Sequence, residues 1–217
     1  MSYPIPPDEE LRLAALYELE LLDTPDEAAF DRITRLVAQI LNVPISTVTL
    51  IDAERQWLKS RVGMEIRETT RKVGFCSHTI TLSEPLIVED ASQEPRFAQN
   101  PLVTAPGGIR FYAGIPLLSL QGLALGSLCA IDTKPRVISE NELAALKDLA
   151  AIVTDEIHLR ERLIRERKSR QASQQALKAF HQAMESQIER RTRELNLVIE
   201  SAYDAYVSID AKGVVLD

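Results

Sequence analysis

Helix-breaking residues recur through the first 135 positions of this 217-residue chain and then stop: no proline follows Pro135, and no glycine lies between Gly126 and Gly213. Proline removes a backbone donor and glycine costs conformational entropy, so a stretch without either lets a helix run uninterrupted. Ser139 and Glu142 form the capping-box pair that satisfies orphan backbone donors at a helix start, here near Asn141. Nothing breaks the pattern from there to about Ser201. At 1.5 Å rise per residue such a helix reaches about 90 Å, more than one globule of this size needs to cover its core. The sequence therefore predicts a globular head followed by a helical rod.

Apolar residues make up 45% of the chain, enough for one core of about 100 to 150 residues. The formal charge of −7 is uneven. Residues 1–138 carry 13 basic and 18 acidic side chains, whereas residues 139–200 carry 11 of each. Nucleic-acid binding needs a basic face, and the one local excess is Arg160 to Arg170, so nucleic acid is not an expected partner. Balanced charge along a helix reads instead as a solvated face or interhelical ion pairs. Cys76 and Cys129 form no CxxC, and the N-terminal MSYPIPPDEE has neither a basic start nor an apolar stretch, which points to a reducing cytoplasm. No apolar run approaches the length of a membrane span.

Along the head, Leu11, Ala15, Leu19 and Leu22 mark a first short helix. Thr24 as N-cap, Pro25 and Glu27 open a second, whose apolar face is Phe30, Ile33, Val37, Ile40 and Leu41. Ile45 to Asp52 and Arg55 to Val62 read as a strand hairpin turned at Ala53 and Glu54 and ended by Gly63. Phe75 to Leu82 reads as a helical turn and Leu86 to Val88 as a short strand, with Trp57 placed equally well in the core or at a sheet edge. Residues 90–110, with three prolines and two glycines, form a long loop of the functional or lid type. Phe111 to Ser119 and Leu123 to Asp132 make a second hairpin around Gln121 and Gly122. The result is an α+β fold, an antiparallel sheet flanked by helices. At the far end, Val207 to Ile209 and Val214 to Leu216 read as two further strands, too few to fold alone.

Four segments in register, RQWLKSRVG at 55–63, FCSHTI at 75–80, IRFYAGIPL at 109–117 and LGSLCAIDTKPR at 125–136, resemble a bacterial GAF domain. The tail from Arg191 resembles the helix and first strands of a PAS domain. The resemblance implies a domain order of an N-terminal helix over 1–24, a GAF sensory domain over 25–138, a signalling helix over 139–201 and the start of a PAS domain over 202–217. It also implies a sheet of about six strands with helices on one face as a dimer surface and a small-molecule pocket on the other. In such proteins the output is a histidine kinase or a GGDEF diguanylate cyclase, and no output motif is present here.

Cys76, Ser77 and His78 hold the densest cluster of reactive side chains. A thiol and an imidazole two apart can pair as nucleophile and base, but no orienting carboxylate or further ligand can be assigned, so neither a catalytic residue nor a metal site is expected. Bilin-binding GAF domains attach their chromophore through a cysteine followed directly by histidine. Ser77 intervenes here, so no covalent cofactor is expected, and the identity of any other cofactor stays open. The cyclic-nucleotide GAF signature is absent as well. The pocket candidates are Phe75, Cys76, His78, Asp90, Arg110, Phe111, Tyr112 and Cys129, weighed against structural roles in the core.

Leu146, Ala150, Val153 and Ile157, and later Leu177, Phe180, Met184 and Ile188, keep the 3 and 4 spacing of coiled-coil seams. The expected assembly is a parallel homodimer through the long helix, with a step of four between Met184 and Ile188 that locally rewinds it. The functional expectation is a non-catalytic sensory and dimerisation module of a cytoplasmic signalling protein, partnered by a small ligand and a downstream PAS or output domain. Alternatives are a GAF-fold redox switch or small enzyme acting through Cys76, and a structural dimer with an empty pocket.

Overall fold

The computed structural model describes residues 3–207 and Gly213. The chain divides into two units, Met1–Ile164 and Arg165–Asp217. Helices α1 (Glu9–Glu18) and α2 (Ala28–Ile40) precede strands β1 (Ile45–Ile51), β2 (Arg55–Val62) and β3 (Glu68–Thr70). The short helix α3 (Cys76–Thr79), strand β4 (Leu86–Val88) and helix α4 (Pro101–Thr104) follow, then β5 (Phe111–Leu118) and β6 (Ala124–Asp132). The last element is α5 (Glu140–Val207), 68 residues long. The strands form one antiparallel sheet in the order β3-β2-β1-β6-β5-β4.

Both predicted hairpins stand where the sequence placed them, and the 90–110 loop carries the α4 turn, capped by the Asn100 side chain. Strand β3 was not foreseen because three polar residues carry no alternation; its pairing of Gln56 with Thr69 and Trp57 with Glu68 fixes it. The capping box forms as read: Ser139 N–H donates to Glu142 Oε2 at 2.8 Å, and Glu142 N–H donates to Ser139 Oγ at 3.3 Å.

Strand alternation sorts side chains onto two faces. Val48, Leu50, Trp57, Phe111, Ala113, Ile115, Leu117, Leu128 and Ala130 face the layer of α1, α2 and the start of α5. Ile51, Tyr112, Cys129 and Ile131 join a second core with Phe75, Cys76, Ile80 and Phe97.

Three expectations need correction. Thr24 does not cap α2: the helix starts at Ala28, and the Thr24 hydroxyl donates to Leu21 O at 2.7 Å while accepting from Lys59 Nζ. The buried Lys59 ammonium recruits this segment, with Glu27 at 2.6 Å as its counter-charge. In α1, Leu11 is exposed and the inward positions are Leu16 and Arg12, because the guanidinium finds Ile51 O at 2.6 Å and the Glu9 carboxylate. Finally, Leu146, Ala150, Val153 and Ile157 are buried beneath the sheet of their own chain. Spacing of 3 and 4 marks any apolar helix stripe and does not say whose core the stripe covers. The exposed large apolar residues on this part of α5 are Ile152, Leu159 and Leu163.

In the second unit every residue from Arg165 to Ala202 is exposed, Leu177, Phe180, Met184 and Ile188 included. The strand expected to begin at Val207 is not present there, since Val207 is the last residue of α5. The rest of that expected hairpin, residues 208–212 and 214–217, lies outside the described residues.

Candidate ligand pocket

The sheet face opposite the helical layer holds a partly open cavity of about 160 Å³. Thr47 and Thr49 of β1, Gln56 and Leu58 of β2 and Tyr112 of β5 form its floor, and Met64, Gly74, Phe75, Cys76, Leu102 and the Gly107–Ile109 segment close over it. Three of the sequence candidates, Phe75, Cys76 and Tyr112, line it. Phe75 is fixed by stacking on Phe97 at 4.1 Å between centroids and by a tilted contact with Tyr112 at 5.0 Å.

Cys129 lies beneath the wall, fully buried, with its thiol 3.4 Å from the Cys76 thiol and 3.1 Å from Ser127 Oγ. The hydrogen bond from Cys129, joined by those of Ser127, Tyr112 and Thr49, holds the Cys76 thiol below its usual range in spite of burial. Burial pushes Cys129 and Tyr112 upward.

The other candidates belong elsewhere. Phe111 precedes Tyr112 on the same strand and so points to the helical layer, which corrects its assignment to the pocket. His78 sits half-buried with its ring edge against Phe97 at 4.8 Å, its pKa lowered by burial and by the neighbouring Arg96 charge. The Asp90 carboxylate accepts from Ser92 N–H at 3.0 Å and Ser92 Oγ at 2.7 Å, closing a local turn. Arg110 donates to the carbonyls of Val103, Gly108 and Ile109, so it ties the loop over the cavity to β5.

The residue most informative for binding is Gln56, which the sequence reading did not single out. It is buried, its Nε2 donates to Thr69 Oγ1 at 2.7 Å, and its Oε1 has no hydrogen-bond partner. An unpaired buried acceptor costs about 1–3 kcal/mol, which a ligand donor would recover. Gly74 makes room for this amide: a Cβ there would lie about 2 Å from its atoms. The backbone of Gly74, at φ −84° and ψ 129°, is open to any residue, so only the glutamine is displaced by a side chain. Gly74→Ala is expected to break the Gln56–Thr69 bond and lower unfolding stability by about 1 kcal/mol, measured by urea denaturation, while the fold persists. Unchanged stability would show that the amide is not held as described.

Among the described residues, no group of three or more His, Cys, Asp or Glu is placed to hold a metal ion, and no helix is long and apolar enough to cross a membrane.

The family model of the GAF domain matches residues 26–157. The chain belongs to the GAF domain family. Over 156 residues it is 38% identical to a cyclic di-GMP phosphodiesterase of Pseudomonas aeruginosa, an alignment covering 71% of this chain and 27% of that protein. The chain thus spans about a quarter of the length of this relative. Among solved structures, the GAF domain of an Acinetobacter phosphoenolpyruvate-protein phosphotransferase superposes with a TM-score of 0.52 at 20% identity, covering 68% of this chain and 92% of that one. A free methionine-R-sulfoxide reductase from Neisseria meningitidis does so with a TM-score of 0.51 at 17% identity, covering 75% and 97%. At these identities the likeness establishes the GAF fold, which hosts both regulatory domains and enzymes.

Proposed function

We propose that this chain is the sensory and dimerisation segment of a cytoplasmic bacterial signalling protein. Its pocket takes a small, mainly apolar molecule carrying one hydrogen-bond donor, and α5 reads its occupancy. The observation that carries the reading is the arrangement about β6. Ile131 borders the cavity from one face of this strand, while Leu128 and Ala130 on the other face belong to the same core as Leu146, Leu149 and Val153 of α5. A side-chain shift under the ligand therefore reaches the base of α5 through one strand, because close-packed interiors transmit strain. The same helix is tied to the β5–β6 turn by His158 Nε2 at 3.0 Å from Leu118 O and by Leu120 N–H donating to Glu161 Oε2 at 2.7 Å.

The cavity volume suits a small ligand. An apolar cavity of about 150 Å³ is large enough for benzene, whereas drug-sized ligands need roughly 300 Å³ or more. Regulation rather than catalysis fits the 38% identity to a segment of a cyclic di-GMP phosphodiesterase that this chain covers by only 27%, which leaves room for a separate output. The resemblance of the tail to a PAS opening makes such a domain the expected next partner.

Phenol, an aromatic ring with one donor, is the test probe. It is expected to raise the melting temperature saturably, to slow hydrogen exchange in the 140–164 segment, and to bind about tenfold more tightly than benzene through one hydrogen bond to Gln56 Oε1. Gly74→Ala should abolish the difference between the two probes. Absence of a saturable shift with either, or an identical preference in the variant, would overturn the ligand assignment.

A further inference from the structure

Cys76 and Cys129 are separated by 53 residues in sequence, yet their sulfurs stand 3.4 Å apart. The α3 turn presents one and the centre of β6 the other. They differ in access. Cys76 is in the wall of the partly open cavity, whereas Cys129 is fully buried behind it and does not line it. The two thiols also share polar neighbours: Tyr112 Oη is 3.6 Å from the sulfur of Cys76 and 3.4 Å from that of Cys129, and Thr79 Oγ1 holds that hydroxyl in place at 2.7 Å. A pair of inert core cysteines needs neither a shared hydroxyl nor a route to solvent for one member only.

We propose that Cys76 and Cys129 form a reversible dithiol–disulfide couple, oxidised by a hydroperoxide that enters through the pocket and meets Cys76 first. The Cys76 thiolate attacks the distal peroxide oxygen, forming an S–O bond as the O–O bond breaks; Cys76 becomes a sulfenic acid, and hydroxide or alkoxide leaves, taking up the proton the thiol had released. Cys129 then attacks the Cys76 sulfur, the S–O bond breaks, and water departs with the Cys129 proton. In sum two thiols lose two electrons and two protons, and the peroxide is reduced to water plus water or an alcohol. An external dithiol reverses the change by exchange.

Chemistry favours this order. The lowered Cys76 pKa increases the thiolate, the nucleophilic form, and Tyr112 Oη can donate to it. Cys129, held as the thiol by burial, is within reach as the resolving group. Closing the bond brings the sulfurs from 3.4 Å to about 2.05 Å and pins the α3 turn, with Phe75 beside it, to β6. Oxidation therefore acts on the same strand as the proposed ligand but does not require that ligand, so either reading survives the failure of the other.

The test uses the full chain treated with a slight excess of hydrogen peroxide. Intact-mass spectrometry is expected to show loss of two hydrogens, both thiols should become unreactive to alkylation, and dithiothreitol should restore them. Cys129→Ser should stop at a Cys76 sulfenic acid trapped by dimedone, and Cys76→Ser should slow peroxide-dependent thiol loss about tenfold or more. Unreacted thiols, a direct gain of two or three oxygens on wild-type Cys76, or a disulfide found only between chains would each overturn the proposal. The wild-type mass measurement decides the matter even if a serine variant fails to fold.

Discussion

Glu9→Ala is expected to lower the melting temperature by about 10 °C, although Glu9 is a partly exposed residue in the first turn of a short helix. The reason lies in the charges it neutralises. Its carboxylate binds Arg12 at 2.8 Å and also Arg71, and both guanidinium groups are almost wholly buried. Arg12 additionally donates to Ile51 O, and Arg71 to Asp52 O and Ala53 O, with the Tyr3 ring 4.9 Å from the Arg71 guanidinium. These neutral partners satisfy hydrogen bonds but leave two buried positive charges without a counter-charge. Removing one partner of a buried ion pair costs about 3–5 kcal/mol; the remaining carbonyls favour the lower end, and for a domain of this size about 3 kcal/mol corresponds to about 10 °C.

The same site sets an acid limit. Burial alone would raise the Glu9 pKa, but the hydrogen bonds and charges of Arg12 and Arg71 outweigh it and bring the value to about 2. Because the folded value lies below the unfolded one, the stabilisation is fully present above about pH 4.5 and is lost as pH falls toward 2. Glu9→Gln should remove that part of the acid dependence. A melting-temperature loss below about 2 °C in Glu9→Ala would mean that solvent, not Glu9, balances the two arginines.

How far the sequence reveals this molecule depends on whether the signal is local. The capping box at Ser139, the hairpins and the breaker-free α5 are read from neighbours in sequence, and they stand in the structure. The missed features depend on tertiary partners. Arg12 inside the core, Lys59 recruiting Thr24 and Glu27, and strand β3 are each decided by a group many residues away. The pocket lies between these cases. Phe75, Cys76 and Tyr112 came from recognisable motifs, while Gln56 stood within a quoted motif without any mark of its role. A usable clue was present in β1, where Thr47 and Thr49 alternate with Val48 and Leu50: period-2 polarity in a buried strand distinguishes the cavity face from the helix-facing core. Applied to β5, the same parity would have separated Phe111 from Tyr112. Helical spacing failed at Leu146, Ala150, Val153 and Ile157 because a stripe that covers its own sheet and one that covers a second chain share a period.

Ile152, Leu159 and Leu163 are exposed, and Leu177 lies two heptads beyond Leu163, so Leu177, Phe180 and Met184 continue the same 3–4 register. Glu166, Arg170 and Ser173 occupy the intervening seam positions and make that stretch the weak part, while Ile188, four residues after Met184, marks a local rewinding. A helix exposed on every side from Arg165 to Ala202 has no intramolecular core to sustain it, and isolated helices in water are marginal. On these grounds we propose a second copy in parallel as the occupant of the stripe. Leu177→Glu with Phe180→Glu is then expected to raise the dimer dissociation constant about ten-thousandfold. It removes four apolar side chains from the interface at about 1.5 kcal/mol each, roughly 6 kcal/mol in all, and sets like charges against one another. Light scattering should report a monomer, and circular dichroism a partial loss of helix with the first unit still folded. Leu146→Ala provides the contrast, since it opens the head core and is expected to cost about 3 kcal/mol of unfolding stability while the dimer persists. A wild-type monomer at micromolar concentration, or a double variant that stays dimeric, would remove the second copy as the partner of this helix.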